Sequence, residues 1–318
     1  MAVPTNVVQT FTQKGLREDL TDMIYDISPT ETPFSTNIGT AKSANTLSQW
    51  EIDILNAVNL SNAQLQGDDV TIDPGDTPSL RGDYQQILRK SVAVSNTAEA
   101  VVFAGRKSEF ARLLAKRSKE IKRDLEGIFL ANQAAVAPAA ATAGLLAGMG
   151  AWVYSNTDIG AAGANPPVPT LVPTTARTDG TQRAFSEVIL KNVMQKCYTN
   201  GASPKMIMLG AANKQLTSTF TGVATKTFQT TAVEATAIIG AVDTYVSDFG
   251  ILALMPNRFQ RTRDAWFVDP EYAAKMFLRP FRMIDLAITG DSMKKVLIGE
   301  VTLQVKNEIA FGLAADLS

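Results

Sequence analysis

Chemistry needs side chains that carry protons, electrons or metal ions, and this sequence holds few of them in workable patterns. It contains no histidine, which removes the Ser-His-Asp triad, the Cys-His dyad and the histidine metal site, and with them the commonest general base. Its single cysteine, Cys197, falls on the apolar side of a predicted helix, where a thiol lacks the exposure and electropositive surroundings that reactivity requires. One thiolate also cannot build a zinc or iron-sulfur site. The densest carboxylate group is Asp68, Asp69, Asp73 and Asp76. It could hold calcium or supply a carboxylate pair for hydrolysis, but its spacing, broken by Pro74, departs from the EF-hand loop, and aspartate beside glycine and proline is also ordinary turn chemistry. There is no G-x-x-x-x-G-K-[ST] phosphate loop, no G-x-G-x-x-G between a strand and a helix, and no G-x-S-x-G elbow. The expectation is a non-enzyme without cofactor or metal. Arg81-Gly82-Asp83 matches an integrin-binding tripeptide and Asn59-Leu60-Ser61 an N-glycosylation acceptor. Both are short enough to arise by chance, and neither is assigned a function.

The chain around these residues has 318 residues, enough for about two domains with a real core on a prior of roughly 150 residues per domain. Apolar residues make up 45% and charged residues 19%, a globular composition. Thirty basic residues against 31 acidic give a net charge of -1, without the basic excess of a dedicated nucleic-acid reader. A lone cysteine and a start lacking the basic and apolar regions of a secretory signal fit a reducing compartment. The uncharged stretch 134–153 has the length of a membrane span. It is mostly alanine and glycine with Pro138 inside, and reads as a helix end running into a glycine-rich turn.

Elements follow from periodicity. Leu16, Leu20, Met23, Ile24 and Ile27 mark a short amphipathic helix. Pro29 and Pro33 then turn the chain into an extended arm. Trp50, Ile52 and Ile54 alternate in one strand and Val92 and Val94 in another. The roughly 25 residues of turn-rich loop between them far exceed the usual connection of about 4 to 6, and such an excursion contacts something outside its own domain. Residues 105–133 form the clearest helix, with Phe110, Leu113, Leu114, Ile121, Leu125, Ile128 and Phe129 on one stripe; at about 1.5 Å per residue it reaches roughly 40 Å. Between Arg106 and Glu126 lie eight basic and four acidic residues, either a solvated face with i,i+4 pairs or a face toward another subunit or a polyanion. A helix follows through Phe185, Val188, Ile189, Val193 and Cys197, then a strand at "MIML" and a helix at "AANKQLTSTF". A threonine-rich loop spans 221–236. The last third gives a hairpin turning at 247–250, a strand stopped by Asp269-Pro270, and one or two long strands across 294–313. The class is α+β. Arms and excursions cost conformational entropy that neighbours must offset, so the pattern predicts a self-assembling subunit.

The segments "LREDLTDMIYDISPTETPFSTNIG", "GLLAGMGAWVYSN", "YVSDFGILALMPNRF", "WFVDPEY" and "LAITGDSMKKVLIGEVTLQVKNEIAFGL", in this order, resemble the major head proteins of tailed bacteriophages with the Hong Kong 97 fold. The resemblance implies an N-terminal arm over 1–46, an extended loop over 47–95, and a peripheral domain over 96–202 with its spine helix at 105–133. An axial domain would span 203–263, and 264–318 would complete the peripheral domain. It implies a structural capsid protein that self-assembles through pentamers and hexamers into an icosahedral shell around double-stranded DNA, contacting that DNA without sequence preference. Such a protein is found in the virion and is assembled in the host cytoplasm, and a scaffolding or decoration protein and a portal would be its further partners. Leu16, Leu20, Ile24, Pro29, Pro33, Phe34, Trp50, Arg81, Arg112 and Arg117 are the candidate inter-subunit contacts. No membrane partner, catalytic residue, cofactor or metal is implied. The alternatives are an encapsulin-like nanocompartment shell protein, a carboxylate-dependent hydrolase, and a tail or portal-adaptor protein that forms a single ring.

Overall fold

The structure, a computed structural model, describes residues 29–318 apart from 68, 70–74, 76, 104, 106 and 221–242. The predicted helix carrying Leu16, Leu20 and Ile24, and the loop 221–236, lie outside the described residues.

In chain order the elements are α1 (Pro33–Asn37), β1 (Gly39–Lys42), β2 (Leu47–Ile52), β3 (Ser79–Tyr84), β4 (Gln86–Ser95), α2 (Asn96–Ala100), α3 (Glu109–Phe129), α4 (Met149–Trp152) and β5 (Thr157–Asp158). They continue with α5 (Glu187–Thr199), β6 (Met206–Leu209), α6 (Ala211–Thr217), β7 (Thr244–Ser247), β8 (Gly250–Pro256), β9 (Ala265–Val268), β10 (Ala273–Asp285), β11 (Ser292–Val305) and β12 (Gly312–Ala314).

The long helix α3 begins where Ser108 accepts a hydrogen bond from the Ala111 amide, with Glu109 in the first turn, the arrangement that satisfies orphan amides at a helix start. It is shorter at both ends than the predicted 105–133. Phe110, Ile121, Leu125 and Phe129 are its buried stripe. After it, the chain makes a narrow ribbon held by the Val136–Leu145 and Ala139–Thr142 bridges, where the sequence predicts a helix end running into a glycine-rich turn. Gly148 closes the ribbon onto the helix, since a Cβ there would stand 2.2 Å from the Ala131 carbonyl oxygen. Among the described residues no helix is long and apolar enough to cross a membrane.

Three sheets organise the rest. One has the order β1-β10-β11-β4, another β5-β12-β9-β6-β8-β7, and β2 pairs with β3 alone. The predicted hairpin at 247–250 is the β7–β8 turn, with Ser247 opposite Gly250. The long ending is one 14-residue strand, β11. The sequence reading assigns no strand at 273–285; β10 lies there and accommodates Pro280 where its pairing with β11 shifts register, between Phe277 and Arg282, as expected for proline inside a sheet.

Two cores result. The larger joins Phe34, Ile121, Leu125, Phe129, Trp152, Trp266, Val301 and Leu303. The smaller packs Leu190, Val193, Cys197, Ile207, Leu252 and Phe267. On α5, Val188 is exposed and Leu190 and Met194 are buried instead, so the stripe is rotated from the predicted one while Cys197 stays inside. The six-stranded sheet draws β9 and β12 from residues 264–318, so a cut at 263/264 falls between strands of one sheet.

Candidate assembly surfaces

The β2–β3 hairpin is bolted at its root and bare beyond it. Asp83, fully buried, accepts hydrogen bonds from the Ala147 amide at 3.0 Å, the Tyr84 amide at 2.8 Å and the Thr302 hydroxyl at 2.9 Å. Burial pushes its carboxyl well above the usual range, against the pull of those donors. Gly82 donates its amide to the Leu171 carbonyl at 2.9 Å, and a Cβ there would meet the Ser48 carbonyl oxygen at 2.8 Å. The tripeptide at 81–83 is therefore packing machinery, with its aspartate inaccessible to any receptor. Ser48 accepts from the Gln85 amide nitrogen at 2.8 Å and shares a hydrogen bond with Ser43 at 2.6 Å. Trp50 donates its indole N–H to the Val305 carbonyl at 2.9 Å and stacks tilted on Trp152 at 5.5 Å. Arg81 donates to the Thr170 carbonyl at 3.4 Å. Past Ile52 and Ser79, where pairing ends, the loop carries Leu55, Val58, Leu60 and Leu65 at 95%, 86%, 94% and 80% exposure.

The arm meets the body at a second buried carboxylate. Glu126 on α3, at zero exposure, accepts from the amides of Phe34 and Ser35 and from the Asn257 side chain, each at 2.7 Å. Lys275 donates to the Ser35 carbonyl at 2.7 Å. Pro33 opens α1 as its first residue, a position where its missing amide costs nothing, so the predicted extended run is broken here by one helical turn. Phe34 is wholly buried in its own chain, edge-on to Phe129 at 6.1 Å, which leaves it no face for a neighbour. Pro29 and Pro33 are half-buried.

Arg112 and Arg117 are engaged on their own helix, with Glu109 at 2.5 Å and Glu120 at 2.6 Å. Sequence reading missed a buried ionic cluster: Arg177 lies 2.7 Å from Asp264 and 3.6 Å from Asp316, which also takes Arg263 at 2.7 Å. Burial raises the Asp264 carboxyl against the attraction of Arg177 and Arg261. Arg177 and Asp264 are 87 positions apart in the chain, and Arg263 and Asp316 are 53 apart, so no local spacing signals the cluster. None of its four residues lines either of two hollows in the described residues. A hollow of about 530 Å³ between α3 and β4 is lined by one carboxylate, Asp124, and one of about 340 Å³ beside α5 by one, Asp158. Of the predicted acidic group only Asp69 is described, and it is exposed. Among the described residues no group of three or more metal-ligating side chains could hold an ion. Burial pushes the Cys197 thiol up to about 12, which keeps it unreactive. The arrangement offers anchored roots and exposed apolar ends.

Residues 3–318 match the profile of the SU10 major capsid protein. The chain belongs to the SU10 major capsid protein family. The major capsid protein of Escherichia phage Phieco32 is 27% identical to it over 349 residues, covering 98% of this chain and 97% of that protein. Among solved structures, the Cyanophage A-1(L) capsid asymmetric unit is similar with a TM-score of 0.70 at 10% identity, over 98% of this chain and 99% of that one. The capsid of Cyanophage P-SCSP1u gives 0.59 at 11% identity, over 99% and 97%. Phage G gp27 major capsid proteins with gp26 decoration proteins give 0.54 at 10% identity, over the full length of both. The fold is the Hong Kong 97 type, as the resemblance implied, and this SU10-family chain is a major capsid protein of a tailed phage. The family is one of structural capsid proteins, which places the chain in the shell of the virion and displaces the nanocompartment and single-ring readings.

Proposed function

We propose that copies of this chain assemble, through pentamers and hexamers, into an icosahedral head around double-stranded DNA, and that they do so in the host cytoplasm without catalysing a reaction. The observation that carries this reading is the bare apolar loop on a fastened root. Four large side chains at 80% exposure or more, all between Leu55 and Leu65 of one long loop, are a surface that solvent penalises and a neighbour would bury, at about 25 cal/mol per Å². Residues 1–46 act as the arm and 47–95 as the extended loop. Residues 96–202, with α3, and 264–318, with β10 and β11, form the peripheral part, whose four-stranded sheet is completed by β1 from the arm and β4 from the end of the extended loop; 203–263, joined by β9 and β12, forms the axial part. Leu16, Leu20, Ile24 and Pro29 remain contact candidates on the arm. Trp50, Arg81, Arg112 and Arg117 also bond within their own subunit, and the partly exposed Arg112 and Arg117 remain contact candidates as well. A portal, a scaffolding protein and a decoration protein are its further partners.

Negative-stain electron microscopy of the purified full chain, alone and co-expressed with its flanking reading frames, tests the proposal. Closed shells or capsomer rings are the expected result. A monodisperse monomer under both conditions would overturn it.

A further inference from the structure

The charge on α3 is sorted by pairing. Its four carboxylates are all engaged: Glu109 with Arg112, Glu120 with Arg117, Asp124 with Lys90 at 2.6 Å, and Glu126 with the amides of α1. What remains on the solvent side is Lys116, Lys119 and Lys122, all exposed. Lys116 lies near enough to Glu120 to help hold that carboxyl down, after Arg117. Lys122 adds its positive charge to the burial that lowers the Lys275 ammonium. The strip does not stop at the helix. Arg123 stacks over Phe259 at 5.0 Å, the Phe259 carbonyl lies 3.6 Å from the Cβ position of Gly127, and the residue before it, Arg258, is exposed. The chain as a whole is near neutral, so a local row of cations with its carboxylates drawn off is a feature of the fold and not of the composition.

We infer that this strip, Lys116, Lys119 and Lys122 continued by Arg123 and Arg258, is the surface through which the shell subunit meets the phosphates of double-stranded DNA. The inference rests on the reading of the chain as a shell around DNA, and names the face that looks at it. Three-residue steps place successive lysine Cα atoms about 4.5 Å apart along the axis, and flexible lysine stems reach the similarly spaced charges of a duplex. Lysine suits the task because it acts as a compact point charge that holds phosphate without selecting a base. Contacts of this kind release counterions, so affinity falls with salt in proportion to the phosphates engaged.

The test uses dispersed full-length subunits and a fluorescent duplex of about 20 base pairs, with binding followed from about 50 to 200 mM salt. Replacing the three lysines together by glutamine should flatten the slope of log affinity against log salt by roughly 3, at about 0.9 per lost phosphate contact. Replacing them by arginine should preserve it. Glutamine at Lys191, Lys205 and Lys294, which removes the same charge elsewhere, should leave it near wild type. Equal slopes for wild type and the glutamine variant, or no binding by wild type, would overturn the inference. So would a glutamine variant that keeps its DNA slope and loses shell formation, since the strip would then be a contact between subunits. Shell formation by wild type, scored separately, reports on the proposed function and not on this strip.

Discussion

At Asp83 the fold keeps a carboxyl at zero exposure with three donors around it, and the donors do not make up for lost water, so its pKa is raised. A raised value means that the folded protein favours the protonated form more than the unfolded chain does. The stability this contributes is full below the ordinary carboxylate range and is lost as pH rises through the raised value, each tenfold difference in proton affinity between the two states being worth about 1.4 kcal/mol. Asp264 and Glu308 are raised by burial in the same direction, so the comparison must isolate Asp83. Urea unfolding of wild type and Asp83→Asn, run side by side, should show the stability difference moving in favour of wild type as pH falls. Parallel profiles would sink this account. The tripeptide that contains Asp83 carries no function in the sequence reading, and none in the structure. Burial of its aspartate, however, depends on Ala147 and Thr302, far along the chain, and is not written locally. Cys197 shows the opposite case: its helical spacing alone points inward, and the structure buries it.

At the scale of elements, α1 stays in place because Glu126 gathers two of its amides. A one-turn helix has no stability of its own, since nucleation costs more than one turn returns. Glu126→Ala would leave two amides and the Asn257 side chain without acceptors in a dry site, at about 1–3 kcal/mol for each orphaned group. A loss of roughly 3 kcal/mol or more is expected in urea unfolding, together with faster proteolysis near residue 38 in native buffer. Unchanged protection of that site would show that Phe34 packing alone holds the arm. Pro33 is legible in the sequence as a break; that the break starts a helical turn is not, because the acceptor lies 92 positions away.

For the whole molecule, the decisive division is between what the subunit buries and what it leaves bare. The described residues of the loop beyond Ile52 and Ser79 add exposed apolar surface and no core, so its removal should cost the subunit little and the shell everything. Replacing residues 54–77 by a short Gly/Ser turn should leave the melting temperature within about 3 °C of the full chain, as loop shortening changes closure entropy only slightly. The same variant should form no shells under the electron microscope. A large fall in melting temperature would mean that the loop packs on its own subunit. Shells of normal appearance would mean that other surfaces suffice.

The sequence by itself determined the α+β class, the long helix, the β7–β8 hairpin, the strand stopped at Asp269-Pro270, the inert thiol and the over-long excursion. Each is written in neighbours within a few residues, through periodicity, proline or turn chemistry. Collinear resemblance added the family. Tertiary structure alone decided that β10 shifts register across Pro280, that β9 and β12 join the six-stranded sheet, that Phe34 belongs to its own core, and that Asp83, Glu126 and the Arg177 cluster are buried. These depend on partners brought together across the chain, and a buried polar group acquires its meaning from the donors that fold around it.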